Sequence, residues 1–201
     1  MPLDVGFTIF CDRFLKMTLN LSILSIVLGL GMGLPQIYGL LNPAGFGVAV
    51  RKFPRSLPAG WFLMVLGTAW FIVNLSQESI SDFAAYKNIL LLGFAAVGIG
   101  SCIFVQDFLA VRGLAVVLLL LAKLMVDTGR PYLSQTALVL VIQTWAYLLV
   151  VAGIWLTVSP WRLRDLLNWA TANEKRIKIG CSVRLAFGLF VAVLGFAVFK
   201  G

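Results

Sequence analysis

The stretch TLNLSILSIVLGLGMGLPQIYGLL, residues 18–41, decides the fold of this chain. It contains no charged side chain, and about 20 apolar residues are enough for a helix to cross a bilayer. Similar runs recur along the whole sequence, which is 61% hydrophobic and 12% charged. Soluble domains are typically about half apolar and a quarter charged. The sequence therefore predicts a polytopic membrane protein.

The predicted fold is all-α, a single integral membrane domain over residues 1–201 with about six transmembrane helices. Too few residues remain between the apolar runs for a soluble domain. Between the first two runs, three prolines and three basic residues predict a loop that ends any helix. The predicted spans are 18–41, 59–75, 89–105, 108–126, 136–158 and 179–199.

Two further segments are predicted to be amphipathic helices that lie in the membrane interface. In residues 1–16, large apolar side chains recur every three or four residues, as on one stripe of a helix. An extension of the first span is the alternative for this segment. Residues 160–178 combine an apolar stripe with basic residues, a pattern typical of a helix on an anionic membrane surface.

The net charge of +8 is best explained by membrane topology. If the loop around Arg51 is cytoplasmic, ten basic residues fall on that side of the membrane and six on the other. Because basic loops stay cytoplasmic, this distribution predicts that both termini are on the non-cytoplasmic side. It fits the inner membrane of a bacterium. No nucleic-acid module is present, so we expect no nucleic-acid partner.

The sequence contains no histidine, the usual ligand for haem and most transition metals and the usual proton shuttle. Its three cysteines form no C-x-x-C motif, and all eight acidic residues lie in loops or at the ends of spans. We therefore expect no metal, no cofactor and no catalytic residue, and we interpret the chain as non-catalytic.

One local motif, Lys123-x6-Arg130-Pro131, resembles the first signature of the type 2 phosphatidic acid phosphatase family, K-x6-R-P. In that family the lysine and arginine bind the substrate phosphate, and histidines in two later segments act as acid and nucleophile. This chain lacks those histidines. The resemblance therefore implies anion binding at Lys123 and Arg130 and no phosphatase chemistry. Lys123 is also one helical turn from Asp127, so the two side chains can pair.

Basic residues inside the spans are the other candidates for a binding site, because intramembrane charge is costly and often functional. Arg112 and Arg184 both fall near the predicted cytoplasmic face. One hypothesis is that they line one basic pocket for a lipid phosphate or a partner's carboxylate. The interpretation that the sequence favours is independent snorkelling of each side chain to the interface.

Small residues spaced by four predict helix faces that another helix approaches closely. Three of the six predicted spans carry such a face. The pairs are Gly29 and Gly33, Ala96 and Gly100, and Gly188 and Ala192.

Three functional hypotheses follow from these patterns. The favoured one is a non-catalytic structural or accessory subunit of a membrane protein complex. The alternatives are a small oligomeric transporter or channel, and a lipid-binding or lipid-modifying protein that uses the basic cluster. The expected partners are membrane lipids, including anionic lipids, and other membrane protein subunits or a second copy of this chain.

Overall fold

The computed structural model describes residues 20–77 and 86–199, and within these ranges the chain is helical and without β-strands. Eight α-helices lie within these two ranges. Short 3-10 turns, Phe53–Arg55 and Arg130–Tyr132, follow the second and fifth of them. The helices are α1 (Leu21–Leu41), α2 (Pro43–Lys52), α3 (Leu57–Gln77), α4 (Lys87–Phe104), α5 (Leu109–Gly129), α6 (Val139–Val158), α7 (Trp161–Ala170) and α8 (Glu174–Ala197).

Six of these helices are long and apolar enough to cross a membrane: α1, α3, α4, α5 with the 3-10 turn that follows it, α6 and α8. The predicted all-α membrane fold with about six spans is therefore confirmed. Five of the predicted spans agree with the helices to within three residues at each end. The sixth begins at Glu174 rather than at residue 179.

The single interfacial helix predicted over 160–178 is wrong in its second half. The helix ends at Ala170, where the Thr171 hydroxyl donates to the Leu167 carbonyl at 2.7 Å. Asn173 then adopts an extended conformation (φ −134°, ψ 144°) as the N-cap of α8, a position that asparagine favours. Residues 174–178 are consequently the start of a membrane-spanning helix. The other predicted interfacial segment, residues 1–16, lies outside the described residues.

The loop predicted between the first two spans contains a helix, α2. The Asn42 side chain accepts a hydrogen bond from the Gly45 amide at 3.0 Å, and Pro43 occupies the first helical turn. An asparagine cap followed by proline is a strong start signal, since proline lacks the amide hydrogen that the first turn cannot use. The prediction was wrong because it gave weight to the prolines as helix breakers only.

The packing order of the helices differs from their order in the chain. Helix α1 packs along α8 in an antiparallel pair, while α5 packs between α3 and α6. Helix α4 packs mainly on α3. A buried apolar cluster joins α1, α5, α6 and α8, and its members include Leu21, Leu24, Met125, Ile142 and Val191.

Candidate functional site: an open helix face and a charged cleft

The α1–α8 contact brings together the small residues Gly29, Gly188 and Ala192. A Cβ atom added to Gly29 would overlap the Gly188 carbonyl oxygen and lie 2.7 Å from the Ala192 amide nitrogen. A Cβ on Gly188 would lie 2.6 Å from the Gly29 carbonyl oxygen and 3.1 Å from the Gly33 amide nitrogen. The two backbones touch here, which is what small residues at a membrane helix interface permit.

A hydrogen bond extends the α1–α8 contact by about two turns. The Ser22 hydroxyl donates to the Gly195 carbonyl at 2.6 Å. A Cβ on Gly195 would lie 2.7 Å from the Ser22 carbonyl oxygen, so this glycine also has a backbone directly against it. Serine–carbonyl bonds of this kind hold membrane helices together where water does not compete.

Helix α4 carries the remaining predicted small-residue pair, but on a face that no described residue covers. Ala96 is exposed, and a Cβ placed on Gly100 has no neighbour within 4 Å. The same is true of Gly93, which lies about one helical turn before Ala96 and which the sequence analysis missed. We call Gly93, Ala96 and Gly100 the open face of α4.

The packed side of α4 uses a different glycine. Gly98 lies directly against the Thr68 side chain of α3, close enough that any added Cβ would overlap it. Phe94 meets Phe71 edge-on, with ring centroids 4.9 Å apart. Positions 94 and 98 lie roughly opposite the open face, because each helical residue advances by about 100°. Helix α4 therefore holds α3 with one side and leaves the other side uncovered.

A cleft of about 360 Å³ lies between α3, α4 and α5, and we call it the charged cleft. Its lining residues are apolar apart from Thr68 and Lys123. Its volume falls within the range of ligand-binding pockets. The lining residues are Met64, Thr68, Phe71, Phe94, Val97, Gly98, Val116, Leu119, Leu120 and Lys123.

Lys123 is the predicted anion-binding residue that lines this cleft. Arg112 lies 11 residues earlier on nearly the same side of α5, and Arg130 lies in the 3-10 turn that follows α5. Lys123 pairs with Asp127 at 3.1 Å, and both side chains are about half exposed (46% and 48%). Arg130 is exposed, and the Nε of Arg112 is buried without a hydrogen-bond partner among the described residues.

Arg184, the fourth predicted anion-binding residue, lies elsewhere. It is exposed on α8, the partner of α1, whereas Arg112 belongs to α5, which packs between α3 and α6. The structure therefore places Arg112 and Arg184 on different helix pairs.

A basic residue that the sequence analysis placed only in a loop makes the clearest polar contact between distant segments. Arg51, in the last turn of α2, donates from Nε to the Thr171 hydroxyl at 2.8 Å and from a terminal nitrogen to the Thr171 carbonyl at 2.6 Å. Thr171 is buried and ends α7. This contact ties the segment after α1 to the segment before α8.

A glutamine within the spans joins two neighbouring helices. The Gln143 amide of α6 donates to the Val126 carbonyl of α5 at 3.3 Å. Cys102 and Cys181 are buried free thiols. Among the described residues, no three or more Cys, Asp or Glu side chains come close enough together to hold a metal ion.

No family model, curated protein or solved structure matches this chain. Its six apolar helices identify it as a multi-pass integral membrane protein. Any more specific function has to be inferred from the open face of α4 and from the charged cleft.

Proposed function

We propose that this protein is a non-catalytic accessory subunit of a membrane protein complex, and that α4 is the helix that docks on a partner subunit. The observation that carries the proposal is the open face of α4. A Cβ on Gly93 or Gly100 meets no described atom within 4 Å, and Ala96 between them is exposed.

Lipid contact alone does not account for a face of this kind. Lipid tails are as apolar as leucine, so membrane helices associate through close backbone approach, dispersion contacts and hydrogen bonds. A face of glycine and alanine offers fewer contacts to lipid than leucine or isoleucine would. It offers a partner helix a shallow groove, in which two backbones can come close together.

The large side chains beside the open face support the same interpretation. Leu92 and Ile103 flank the small residues and are exposed, as is Phe104 at the end of the helix. Large side chains beside a groove of small ones form a shape that a second helix can fill, and shape complementarity supplies most of the stability of such contacts. The partner is therefore expected to present a helix with small or β-branched residues.

Native mass spectrometry of the full chain, extracted from its own membrane with a mild detergent, tests the proposal. We expect unlike subunits to remain bound to the wild-type protein after extraction. The double variant Ala96→Leu/Gly100→Leu should lose them, because leucine fills the groove. Gly31→Leu is the matched control, since Gly31 also has open space around it but has no small residue three or four positions away.

Two results would overturn the proposal. One is a wild-type protein that is detected as a monomer or only bound to copies of itself. Detection with copies of itself would favour self-association. The other is a double variant that retains its unlike subunits as fully as the Gly31→Leu control does.

A further inference from the structure

We propose that the charged cleft binds one acyl chain of an anionic phospholipid, with Lys123 contacting the headgroup phosphate. The α4 residues that line the cleft are Phe94, Val97 and Gly98, none of which belongs to the open face. The proposal therefore uses different residues from those of the docking proposal and stands independently of it.

The cleft has the shape and chemistry of an acyl-chain site. Its walls are the side chains of Met64, Phe71 and Phe94 with aliphatic residues of α4 and α5. Val97 lines it and is 66% exposed, so the cleft is accessible from outside the helix bundle. For helices that cross a membrane, the surroundings of that opening are lipid. An apolar cavity open to lipid is filled most favourably by an apolar chain.

The length of the cleft also fits a lipid chain. Along α5 its lining residues run from Val116 to Lys123, a rise of about 10 Å at 1.5 Å per residue. One leaflet is half of a hydrocarbon core of about 30 Å. A chain that enters at Lys123 therefore stays within one leaflet, and its headgroup lies on the side where α5 ends.

Basic side chains lie at that end of the cleft. Lys123 lines the cleft itself, and Arg130 follows seven residues later, in the 3-10 turn after α5. Lys87 begins α4 near the same end and donates to the Ser76 carbonyl. Asp127 pairs with Lys123 and competes with a phosphate for it, and Lys87 and Lys123 each make a further interaction. A phosphate bound here gains charge-assisted hydrogen bonds from Lys123.

Arg112 is not part of the proposed site. It lies one turn before Val116 on the same face of α5 but does not line the cleft. The headgroup is assigned to the Lys123 end because only that end places a cation in the wall of the cleft.

The first measurement is native mass spectrometry of the delipidated full chain in detergent, titrated with phosphatidylglycerol and with phosphatidylcholine of identical acyl chains. We expect phosphatidylglycerol to bind at least about tenfold more tightly, the factor that about 1.4 kcal/mol of added interaction gives. Equal binding of the two lipids would overturn the proposal.

Two substitutions with opposite expected signs separate ligand binding from a structural role. Lys123→Gln should weaken phosphatidylglycerol binding about fivefold to tenfold, because a partly exposed cation is lost. It should weaken phosphatidylcholine binding less, because the choline cation already offsets the phosphate charge of that lipid. Asp127→Asn should strengthen phosphatidylglycerol binding, because the competing carboxylate is removed. A merely structural Lys123–Asp127 pair would give the same sign for both, and that result would overturn the proposal.

Three further arms complete the test. Arg184→Gln removes an exposed cation on α8 and should leave binding unchanged; a loss equal to that of Lys123→Gln would indicate nonspecific attraction. Val97→Trp fills the cleft and should weaken the binding of both lipids, while its melting curve reports whether the variant folds.

A competition experiment tests the assignment to a phospholipid. Oleate that displaces phosphatidylglycerol at equal concentration would overturn that assignment. Ala96→Leu/Gly100→Leu should bind lipid normally, so the two proposals can fail separately.

Discussion

The α1–α8 contact and the open face of α4 are built from the same residue types at the same spacing, yet one is closed and the other is open. At the first, Gly29 and Gly188 bring two backbones into contact. At the second, Gly93 and Gly100 have no described neighbour. Small residues at four-residue spacing therefore allow another helix to approach closely. Whether a helix of the same chain does so depends on other contacts.

The contacts that close the α1–α8 interface lie at both of its ends. Leu21 and Leu24 join Val191 in the shared apolar cluster, and Ser22 donates to the Gly195 carbonyl. At the opposite end, Arg51 ties the two segments together through Thr171. Helix α4 has no such clamp on its open face among the described residues.

The largest effect is expected where the backbones touch. Gly188→Leu forces the side chain into the Gly29 carbonyl and the Gly33 backbone, and overpacking of this kind costs about 3 kcal/mol. Reversible unfolding in mixed micelles should show this loss of unfolding free energy. Gly31→Leu, at an open position of α1, is the control and should change it by less than about 0.5 kcal/mol. Similar losses for both variants would contradict the assigned contact.

A smaller loss of unfolding free energy is expected when the contact between Arg51 and Thr171, which we call the Arg51 clamp, is removed. Arg51→Met keeps an apolar side chain but removes both hydrogen bonds to Thr171, which leaves the buried Thr171 carbonyl with fewer partners. Because Arg51 itself is exposed, we expect the unfolding free energy to fall by only about 1 kcal/mol. The same unfolding assay measures it. Arg55→Met removes a nearby exposed cation and serves as the control. An unchanged Arg51→Met protein would show that the clamp does not stabilise the α1–α8 pair.

Ser22→Ala should have a still smaller effect. It removes the hydroxyl donor to Gly195 while keeping the close backbone contact, and interhelical hydrogen bonds in membranes contribute about 0.6 kcal/mol on average. Unfolding free energy is again the measurement, and Ser101→Ala is a matched control because Ser101 bonds back to Val97 of its own helix. A loss as large as that of Gly188→Leu would mean that the hydrogen bond, not the backbone approach, dominates the interface.

The smallest change in stability is expected on α4. Ala96→Leu/Gly100→Leu adds side chains where nothing is in the way, so the unfolding free energy of the isolated chain should change by less than about 0.5 kcal/mol. The same variant should nevertheless lose its partner subunits. A marked destabilisation of the isolated chain would contradict the assignment of this face as open.

The six spans could be predicted because their signal is local. Long apolar runs such as residues 18–41 define a membrane helix without reference to the rest of the chain. The Lys123–Asp127 pair is local too, since four residues bring the side chains together on any helix. Helix α2 was missed although Asn42-Pro43 marks its start, because proline was given weight only as a breaker.

The site could not be predicted to the same extent because helix neighbours are not local. The sequence places Arg112 and Arg184 at similar depth, but depth does not determine which helices are adjacent. It likewise offers three small-residue faces without indicating which two close on each other. The charged cleft depends on α3, α4 and α5 meeting around Val97, Leu119 and Lys123, an arrangement that no single segment encodes.

The α1–α8 contact has a consequence for biosynthesis. Ser22 and Gly195 are 173 positions apart in the chain. At roughly 5–20 residues per second, α8 leaves the ribosome roughly 10–30 s after α1. During that interval the newly inserted α1 lacks its partner, while α4, which has a small-residue face of its own, is already in the membrane. Correct assembly therefore requires α1 to remain available until translation is nearly finished, and a chain interrupted before Glu174 would leave it permanently unmatched.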